Sequence, residues 1–155
     1  MVKKIHFICR GNVFRSLTAE TYLRSLNLPG IVVTSSGVNV DILNPVERGY
    51  FANTLTLLKN HHIDIYAKKS PDQLTQERVD NQDITICMNQ RVLEEAKAIV
   101  VLPANTEVWG VIDIGEGNRT VITNRLIYEE EIYQEITSKI GKLVDGIFQL
   151  ITVTD

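Results

Sequence analysis

The sequence predicts an α/β protein with a four-stranded parallel sheet and helices on both faces of the sheet. Apolar, β-branched runs alternate with segments of helical spacing along the 155 residues. Each connection between successive strands is long enough to hold a helix, which is how parallel strands are joined. The length and the hydrophobic share of 44% suit one core, so we expect a single domain over residues 1–155.

The first strand, the first helix and the second strand are predicted over 5–8, 18–26 and 31–34. The first run is apolar, and the third is β-branched and ends at Ser35-Ser36-Gly37. The helix carries Ala19, Leu23 and Leu26 on one face, with Glu20 and Arg24 off that face. These three elements predict a right-handed βαβ unit.

A loop over 38–45 is predicted to lead into the second long helix. Asn44-Pro45 is a helix entry, and Phe51, Leu55, Leu58 and His62 then recur at helical spacing. The helix is expected to end near 60–62, followed by a short extended piece over 63–66. Pro71 opens a predicted short helix that ends at 78.

The remaining predicted strands are 83–88 and 99–102, with a helix over 91–98 between them. Cys87 falls within the strand pattern, which predicts a core residue. Pro103 ends the fourth run, three glycines make 108–118 a loop, and 127–150 has the spacing of a closing helix.

Composition excludes several classes of protein. A net charge of −3 argues against a nucleic-acid binder, and Cys9 and Cys87 have neither metal-site nor disulfide-framework spacing. The first apolar run is too short for a signal peptide, and no run is long enough to cross a bilayer. We therefore expect a cytoplasmic protein without metal, cofactor, nucleic-acid partner or membrane association.

The loop after the first strand carries the chemistry, in the order Cys9-Arg10-Gly11-Asn12-Val13-Phe14-Arg15-Ser16. A strand-to-helix turn directs backbone N–H groups and the positive end of a helix dipole at one point, where an anion binds and a thiolate is favoured. Arg15 is expected to fold back and offer paired donors to a tetrahedral oxyanion. Asn12 tolerates a left-handed bend, and Ser16 can donate to the Cys9 sulfur. The sequence thus predicts a phosphate-binding loop with its own nucleophile.

The spacing Cys9-x-Gly11-Asn12-x-x-Arg15-Ser16 resembles the signature loop of low-molecular-weight protein tyrosine phosphatases. Thr34-Ser35-Ser36-Gly37 is similar to the second strand and turn of that family, and the segment that ends in Cys87-Met88-Asn89 resembles its third strand. The resemblance implies a phosphomonoester hydrolase that forms a cysteinyl phosphate on Cys9, with Arg15 clamping the phosphate. Arg10, Gly11, Asn12, Val13, Phe14 and Ser16 would line the phosphate site.

The resemblance also implies a general acid at Asp113, which follows Trp109-Gly110-Val111-Ile112. The family places an Asp there, normally followed by Pro; here Ile114 follows. Phe14 stands where the family often has a second loop cysteine. Aromatic residues that flank the cleft in the family are missing from 38–42 and 114–116. A phosphorylated protein or a small aryl phosphate is therefore the expected substrate, without a stronger indication of specificity.

Two alternatives remain open. Related arsenate reductases share the loop and the fold, and Cys87 lies about where their first resolving thiol would be, whereas Glu94 lies near the place of the second. An arsenate reductase would therefore need an external thiol. The second alternative is a catalytically weak phosphate-binding module, because the aromatic walls and the Pro after Asp113 are missing.

Overall fold

The computed structural model describes residues 2–111, 113 and 125–154. It confirms the predicted α/β class with a parallel sheet of order β2-β1-β3-β4. The strands are β1 (Lys3–Cys9), β2 (Ile31–Gly37), β3 (Ile84–Cys87) and β4 (Glu107–Val108). Every neighbouring pair is parallel, and Cys9 pairs with Gly37 at the carboxyl end of β1. Loops that follow the central strands therefore meet at one edge of the sheet.

Helices cover both faces, as the alternation in the sequence predicts. They are α1 (Arg15–Ser25), α2 (Pro45–Asn60), α3 (Gln76–Val79), α4 (Gln90–Lys97) and α5 (Arg125–Thr154). Ile5 and Phe7 of β1 belong to the apolar cluster under α1, α2 and α5, whereas Ile8 belongs to the cluster under α3 and α4. Side chains alternate between the faces of a strand, so β1 supplies both cores. None of the described helices combines the length and the apolar character that a bilayer crossing requires.

The predicted fourth strand is wrong. Residues 99–102 form no strand, and the fourth strand is the two-residue β4 at the sheet edge. Ile99 is 47% exposed and Val101 is 81% exposed, so this run is a connection on the surface. Its β-branched composition is compatible with a strand, but pairing with β3 is decided by where the chain returns to the sheet.

Smaller differences concern the connections. Residues 64–66 form a 3₁₀ turn instead of an extended piece, and a second 3₁₀ turn occupies 40–42 in the predicted loop. The short helix begins at Gln76 instead of 71, because 71–74 run alongside the carboxyl end of β2, where Leu74 donates to the Gly37 carbonyl at 2.8 Å. α5 begins at Arg125, two residues before the predicted start. Of the predicted loop 108–118, residues 112 and 114–118 lie outside the described part of the chain.

Glu20, predicted to lie off the apolar face of α1, is nevertheless buried. It is only 2% exposed and forms an ion pair with Arg24 at 3.3 Å. Burial raises the pKa of the Glu20 carboxyl, against the opposing effects of Lys68 and Arg24. The helix is buried around most of its circumference, which the alternation of apolar and polar residues cannot reveal.

The start of α2 follows the predicted entry at Asn44-Pro45. The Asn44 side chain accepts from the Glu47 N–H at 2.8 Å, and the Glu47 carboxylate accepts from the Asn44 N–H at 3.3 Å. This reciprocal capping, with Pro45 at the first helical position, satisfies backbone donors that the helix itself leaves free. Local sequence therefore determines where α2 begins.

Acid is expected to destabilise the fold through His6, which is fully buried between the Thr34 hydroxyl at 2.7 Å and the Ser36 hydroxyl at 2.8 Å. Burial, helped by the positive charges of Lys68 and Arg78, lowers the pKa of His6 from 6.5 to about 3. Between those values the unfolded chain binds a proton that the folded chain excludes. The free energy of unfolding should therefore fall as the pH drops below 6.5, with His6 contributing a slope of up to about 1.4 kcal/mol per pH unit.

Urea denaturation at several pH values between 7 and 5 measures this slope. His6→Gln removes the titrating group, so its stability should fall less steeply with acid even if the variant is less stable throughout. The difference between the two slopes measures the contribution of His6. Equal slopes for His6→Gln and the unmodified protein would contradict the prediction.

Candidate active site

The loop of residues 9–16 connects the carboxyl end of β1 to the amino end of α1. Cys9 is the last residue of β1, Arg15 is the first of α1, and Phe14 occupies the N-cap position without a side-chain cap. A helix start without a side-chain cap leaves backbone N–H groups available to another acceptor. The start of α1 is thus free of a side-chain cap at the point where the loop joins it.

Asn12 holds the loop in shape. Its φ of 54° places it in the left-handed region, which Asn tolerates better than most residues. Its side-chain amide donates to the hydroxyls of Ser16 at 2.7 Å and Ser35 at 2.9 Å. Its side-chain oxygen accepts from the backbone N–H of Asp72 at 3.0 Å. Asn12 therefore connects the loop to β2 and to the segment that precedes α3.

The Cys9 sulfur lies inside this turn and is close to two donors. Ser16 Oγ is 2.9 Å from Cys9 Sγ, and the Asn12 backbone N–H points at the sulfur from 3.2 Å. Because Ser16 Oγ already accepts from the Asn12 amide, its own proton can go to the sulfur, or more distantly to the Ser36 carbonyl at 3.4 Å. Hydrogen bonds donated to sulfur stabilise a thiolate relative to a thiol.

Arg15 links the loop to the candidate acid. Its side chain is 3% exposed, donates to the Val111 carbonyl at 2.9 Å and lies 3.4 Å from the Asp113 carboxylate, which is 25% exposed. Val111 is itself anchored, since its N–H donates to the Met88 carbonyl at 2.7 Å and its carbonyl also faces the Asn89 amide at 3.4 Å. The structure therefore brings Asp113 to Arg15 of the Cys9 loop, although Asp113 is about a hundred residues from the loop.

The remaining predicted loop residues have different environments. Phe14 is buried, and its side chain packs against Tyr128 with ring centroids 5.8 Å apart. Val13 is half-buried, and its carbonyl accepts from the Thr54 hydroxyl. Gly11 is buried close to the Leu43 side chain.

Arg10 is half-buried, and its carbonyl accepts from the Asn39 N–H at 2.8 Å. Its buried Nε has no hydrogen-bond partner among the described residues. Arg10 therefore carries a buried guanidinium donor that no described group satisfies. All eight predicted loop residues thus lie in one turn, but their side chains differ in how deeply they are buried.

Lys68 and Asp72 support the loop and were not predicted as site residues. The Lys68 ammonium donates to the Ser35 carbonyl at 2.9 Å and to the Asp72 carboxylate at 3.1 Å, and Asp72 also pairs with Arg78 at 3.4 Å. These contacts hold in place both the Ser35 and the Asp72 groups that bind Asn12. No spacing in the sequence indicates this role, since a lysine and an aspartate in a turn are ordinary surface residues.

The loop backbone leaves no room for a side chain at Gly37. A Cβ at this position would lie 2.7 Å from the Asn12 nitrogen and 2.8 Å from both the Arg10 oxygen and the Gly11 carbonyl carbon. Gly37→Ala is therefore expected to displace the loop backbone, lowering kcat/KM for an aryl phosphate by about 100-fold and the unfolding free energy by about 1–3 kcal/mol. Steady-state kinetics and urea denaturation measure the two effects.

Gly49→Ala is the matched control, because a Cβ there meets nothing within 4 Å and the residue lies in α2. That variant should keep its activity and gain about 0.5–1 kcal/mol from the better helix propensity of Ala. If Gly37→Ala were as active as Gly49→Ala, the steric reading of Gly37 would be wrong.

Comparison with known proteins gives consistent results. The sequence profile of the low molecular weight phosphotyrosine protein phosphatases matches residues 4–151. A relative described as the probable low molecular weight protein-tyrosine-phosphatase EpsP of Ralstonia nicotianae is 28% identical over 146 residues, which cover 94% of each chain.

Among solved structures, the low molecular weight protein tyrosine phosphatase SP-PTP of Streptococcus pyogenes superposes with a TM-score of 0.70 at 22% identity, covering 93% of this chain and 92% of that one. A thioredoxin-dependent arsenate reductase of Corynebacterium glutamicum gives a TM-score of 0.63 at 21% identity, covering 96% of this chain and 63% of the reductase. These two likenesses confirm the fold. Because the family profile spans the strand before the Cys9 loop, the loop itself and nearly all of the remaining chain, the protein belongs to the low molecular weight phosphotyrosine protein phosphatase family.

Proposed function

We propose that this protein is a phosphomonoester hydrolase that forms a cysteinyl phosphate on Cys9, acting as a single domain over residues 1–155. The observation that carries the proposal is the position of the Cys9 sulfur, buried in the turn between β1 and α1 with donors from Ser16 and Asn12. A thiolate in this place can attack an electrophile that the loop amides and Arg15 hold in front of it. Phosphorylated proteins and small aryl phosphates are the proposed substrates.

In the first step, the phosphate oxygens bind the loop N–H groups and the Arg15 guanidinium. The Cys9 thiolate forms the new S–P bond while the P–O bond to the leaving group breaks on the opposite side. Asp113 donates a proton to the departing oxygen, so that an alcohol or phenol leaves instead of an oxyanion. Arg15 contacts both the phosphate and the acid, because the guanidinium that binds the phosphate also lies 3.4 Å from the Asp113 carboxylate.

In the second step, water attacks the phosphorus of the cysteinyl phosphate. Asp113, now a carboxylate, accepts a proton from that water, and the S–P bond breaks to release phosphate and the Cys9 thiolate. The Ser16 hydroxyl at 2.9 Å from the sulfur stabilises the thiolate as it leaves. Cys9 thus attacks in the first step and leaves in the second. Asp113 donates a proton in the first step and accepts one in the second.

The side chains nearest to Gly11 of the loop are aliphatic. Leu43 lies against Gly11, and the neighbouring Ile42 is 77% exposed. An aryl group can contact these aliphatic side chains through apolar burial. We therefore propose that the binding of aryl phosphates depends more on the contacts of the phosphate with the loop than on stacking of the aryl ring.

Hydrolysis of 4-nitrophenyl phosphate near neutral pH tests the activity. We expect turnover and, in rapid-quench samples, a phosphoryl adduct on the peptide that contains Cys9. Turnover that does not depend on Cys9, or tight phosphate binding with no turnover at all, would refute the hydrolase proposal. The second result would favour the phosphate-binding module.

The environment of Cys87 distinguishes the proposed hydrolase from an arsenate reductase with an internal thiol relay. Cys87 is fully buried in the cluster under α4, and burial raises the pKa of its thiol to about 12. A resolving thiol must reach the nucleophile as a thiolate, which this environment suppresses. Cys87→Ser is therefore expected to leave aryl phosphate hydrolysis within about two-fold of the unmodified protein, apart from a loss of stability.

Arsenite production measured with and without an external thiol, for the unmodified protein and for Cys87→Ser, is the companion assay. Arsenate reduction that requires Cys87 would contradict the buried, inert state of this thiol. Reduction that requires only an external thiol would support the external-thiol alternative in place of the hydrolase.

A further inference from the structure

A groove with a volume of about 470 Å³ lies at the β3–β4 edge of the sheet, between the strands and the second half of α5. Ile84 of β3 and Trp109 after β4 form its sheet side, and Leu143 and Ile147 form its helix side. No residue of the loop 9–16 lines it. The groove is therefore a different place from the catalytic turn, which lies at the carboxyl ends of the strands.

The helix side of the groove combines positive charge with open space. Lys139, Lys142, Leu143 and Gly146 all line it, and their spacing puts them on one face of α5. Neither lysine forms an ion pair with any described residue. At Gly146 a Cβ would meet nothing within 4 Å, so the groove is open there.

The sheet side offers an aromatic surface. Trp109 is half-buried, and its ring packs against Phe7 at a centroid distance of 5.5 Å while also lining the groove. The backbone N–H of Trp109 donates to the Cys87 carbonyl at 2.9 Å, which fixes the Trp109 backbone to β3. Glu107 lies nearby and is the one carboxylate among the described residues of the lining.

We propose that this groove binds a small aromatic monoanion, such as an aromatic sulfonate or carboxylate. Two ammonium groups against one carboxylate leave a net charge of about +1, which complements a single negative charge. The walls of Trp109, Ile84, Leu143 and Ile147 offer an apolar surface for a ring. The occupant contacts the segment that continues from Trp109 to Val111 and Asp113, so it binds beside the chain segment that carries the candidate acid.

The test uses Trp109 as its own reporter, because it is the only tryptophan of the chain. The probe is 1-anilinonaphthalene-8-sulfonate, excited by energy transfer from Trp109, and its neutral analogue N-phenyl-1-naphthylamine is the comparison ligand. We expect saturable transfer to the sulfonate with a dissociation constant on the order of 10–100 µM. The neutral analogue should bind at least about five-fold more weakly, and excess inorganic phosphate should displace neither.

Two variants locate the site. Gly146→Leu fills the groove and should abolish binding of both ligands, whereas Gly141→Leu, also in α5 with open space at its Cβ but outside the groove, should bind like the unmodified protein. Both should keep their helical circular dichroism, since Leu is a better helix former than Gly. Lys139→Gln with Lys142→Gln should weaken sulfonate binding at least about five-fold and leave the neutral analogue unchanged; Lys97→Gln is the surface-charge control.

Displacement of the sulfonate by phosphate would place the probe in the catalytic loop and overturn the proposal. So would unchanged binding in Gly146→Leu, or equal affinity for the charged and neutral ligands. Each of these results is independent of whether the protein hydrolyses phosphate esters.

Discussion

Cys9→Ser is expected to lower the hydrolysis of aryl phosphates by at least about 10⁴-fold, while inorganic phosphate still binds within a few-fold of its original affinity. A serine hydroxyl is not ionised near neutral pH and is a poorer nucleophile toward phosphorus. Phosphate binding depends instead on the loop amides and Arg15, which the substitution leaves in place. Steady-state kinetics and calorimetric titration with phosphate measure the two quantities.

The structure explains why these two effects should separate. Serine is nearly the same size as cysteine and can keep the contacts with the Ser16 hydroxyl and the Asn12 N–H. Cys87→Ser makes the same chemical change at a buried residue outside the loop and is the matched control. Residual activity of Cys9→Ser above about one per cent would mean that another group is the nucleophile.

Asp113→Asn is expected to have two opposite effects. For a substrate with a poor leaving group, such as phenyl phosphate, kcat should fall by about 10²–10³-fold because the amide cannot donate the proton that the leaving oxygen needs. For 4-nitrophenyl phosphate, whose leaving group needs less protonation, the loss should be smaller. Phosphate affinity should rise a few-fold, because the Asp113 carboxylate lies 3.4 Å from the Arg15 guanidinium and competes with the phosphate for it.

Comparing kcat for the two substrates and the phosphate dissociation constant at low and moderate salt tests this pair of effects. Asp145→Asn removes an exposed carboxylate of α5 and should change none of the three values beyond two-fold. A uniform loss of kcat for both substrates with unchanged phosphate affinity would assign Asp113 a structural role. The gain in affinity should shrink as salt screens the charge at Asp113.

Several parts of the fold depend on short stretches of sequence and were predictable. The capping pair Asn44 and Glu47 defines the start of α2 within four residues. The central strands β1 and β3 are mostly apolar, apart from the buried His6 and Thr85, because both faces of these strands are covered. In the loop, residue types in one contiguous segment indicate the anion site, and the bend at Asn12 matches its residue preference.

Other parts depend on residues far apart in the chain. The fourth strand was misplaced because 99–102 has strand composition but no partner, whereas Glu107–Val108 has a partner in β3. The requirement for Gly37 comes from a close approach between β2 and the loop, more than twenty residues apart. Glu20 and Lys68 have the composition of surface residues, yet both are held within the packed layer behind the loop.

By itself the sequence determined that a turn joins a strand end at Cys9 to a helix start, because these residues are contiguous and their local conformation follows from residue type; the chemistry of that turn is its prediction. Only the tertiary structure decided how that chemistry is assembled. It brings Asp113 and the Val111 carbonyl to Arg15, uses Lys68 and Asp72 to hold Asn12 in place, and leaves an open groove beside Trp109. The physical reason is that these contacts arise from sheet register and helix packing, which join residues with no spacing relation in the chain.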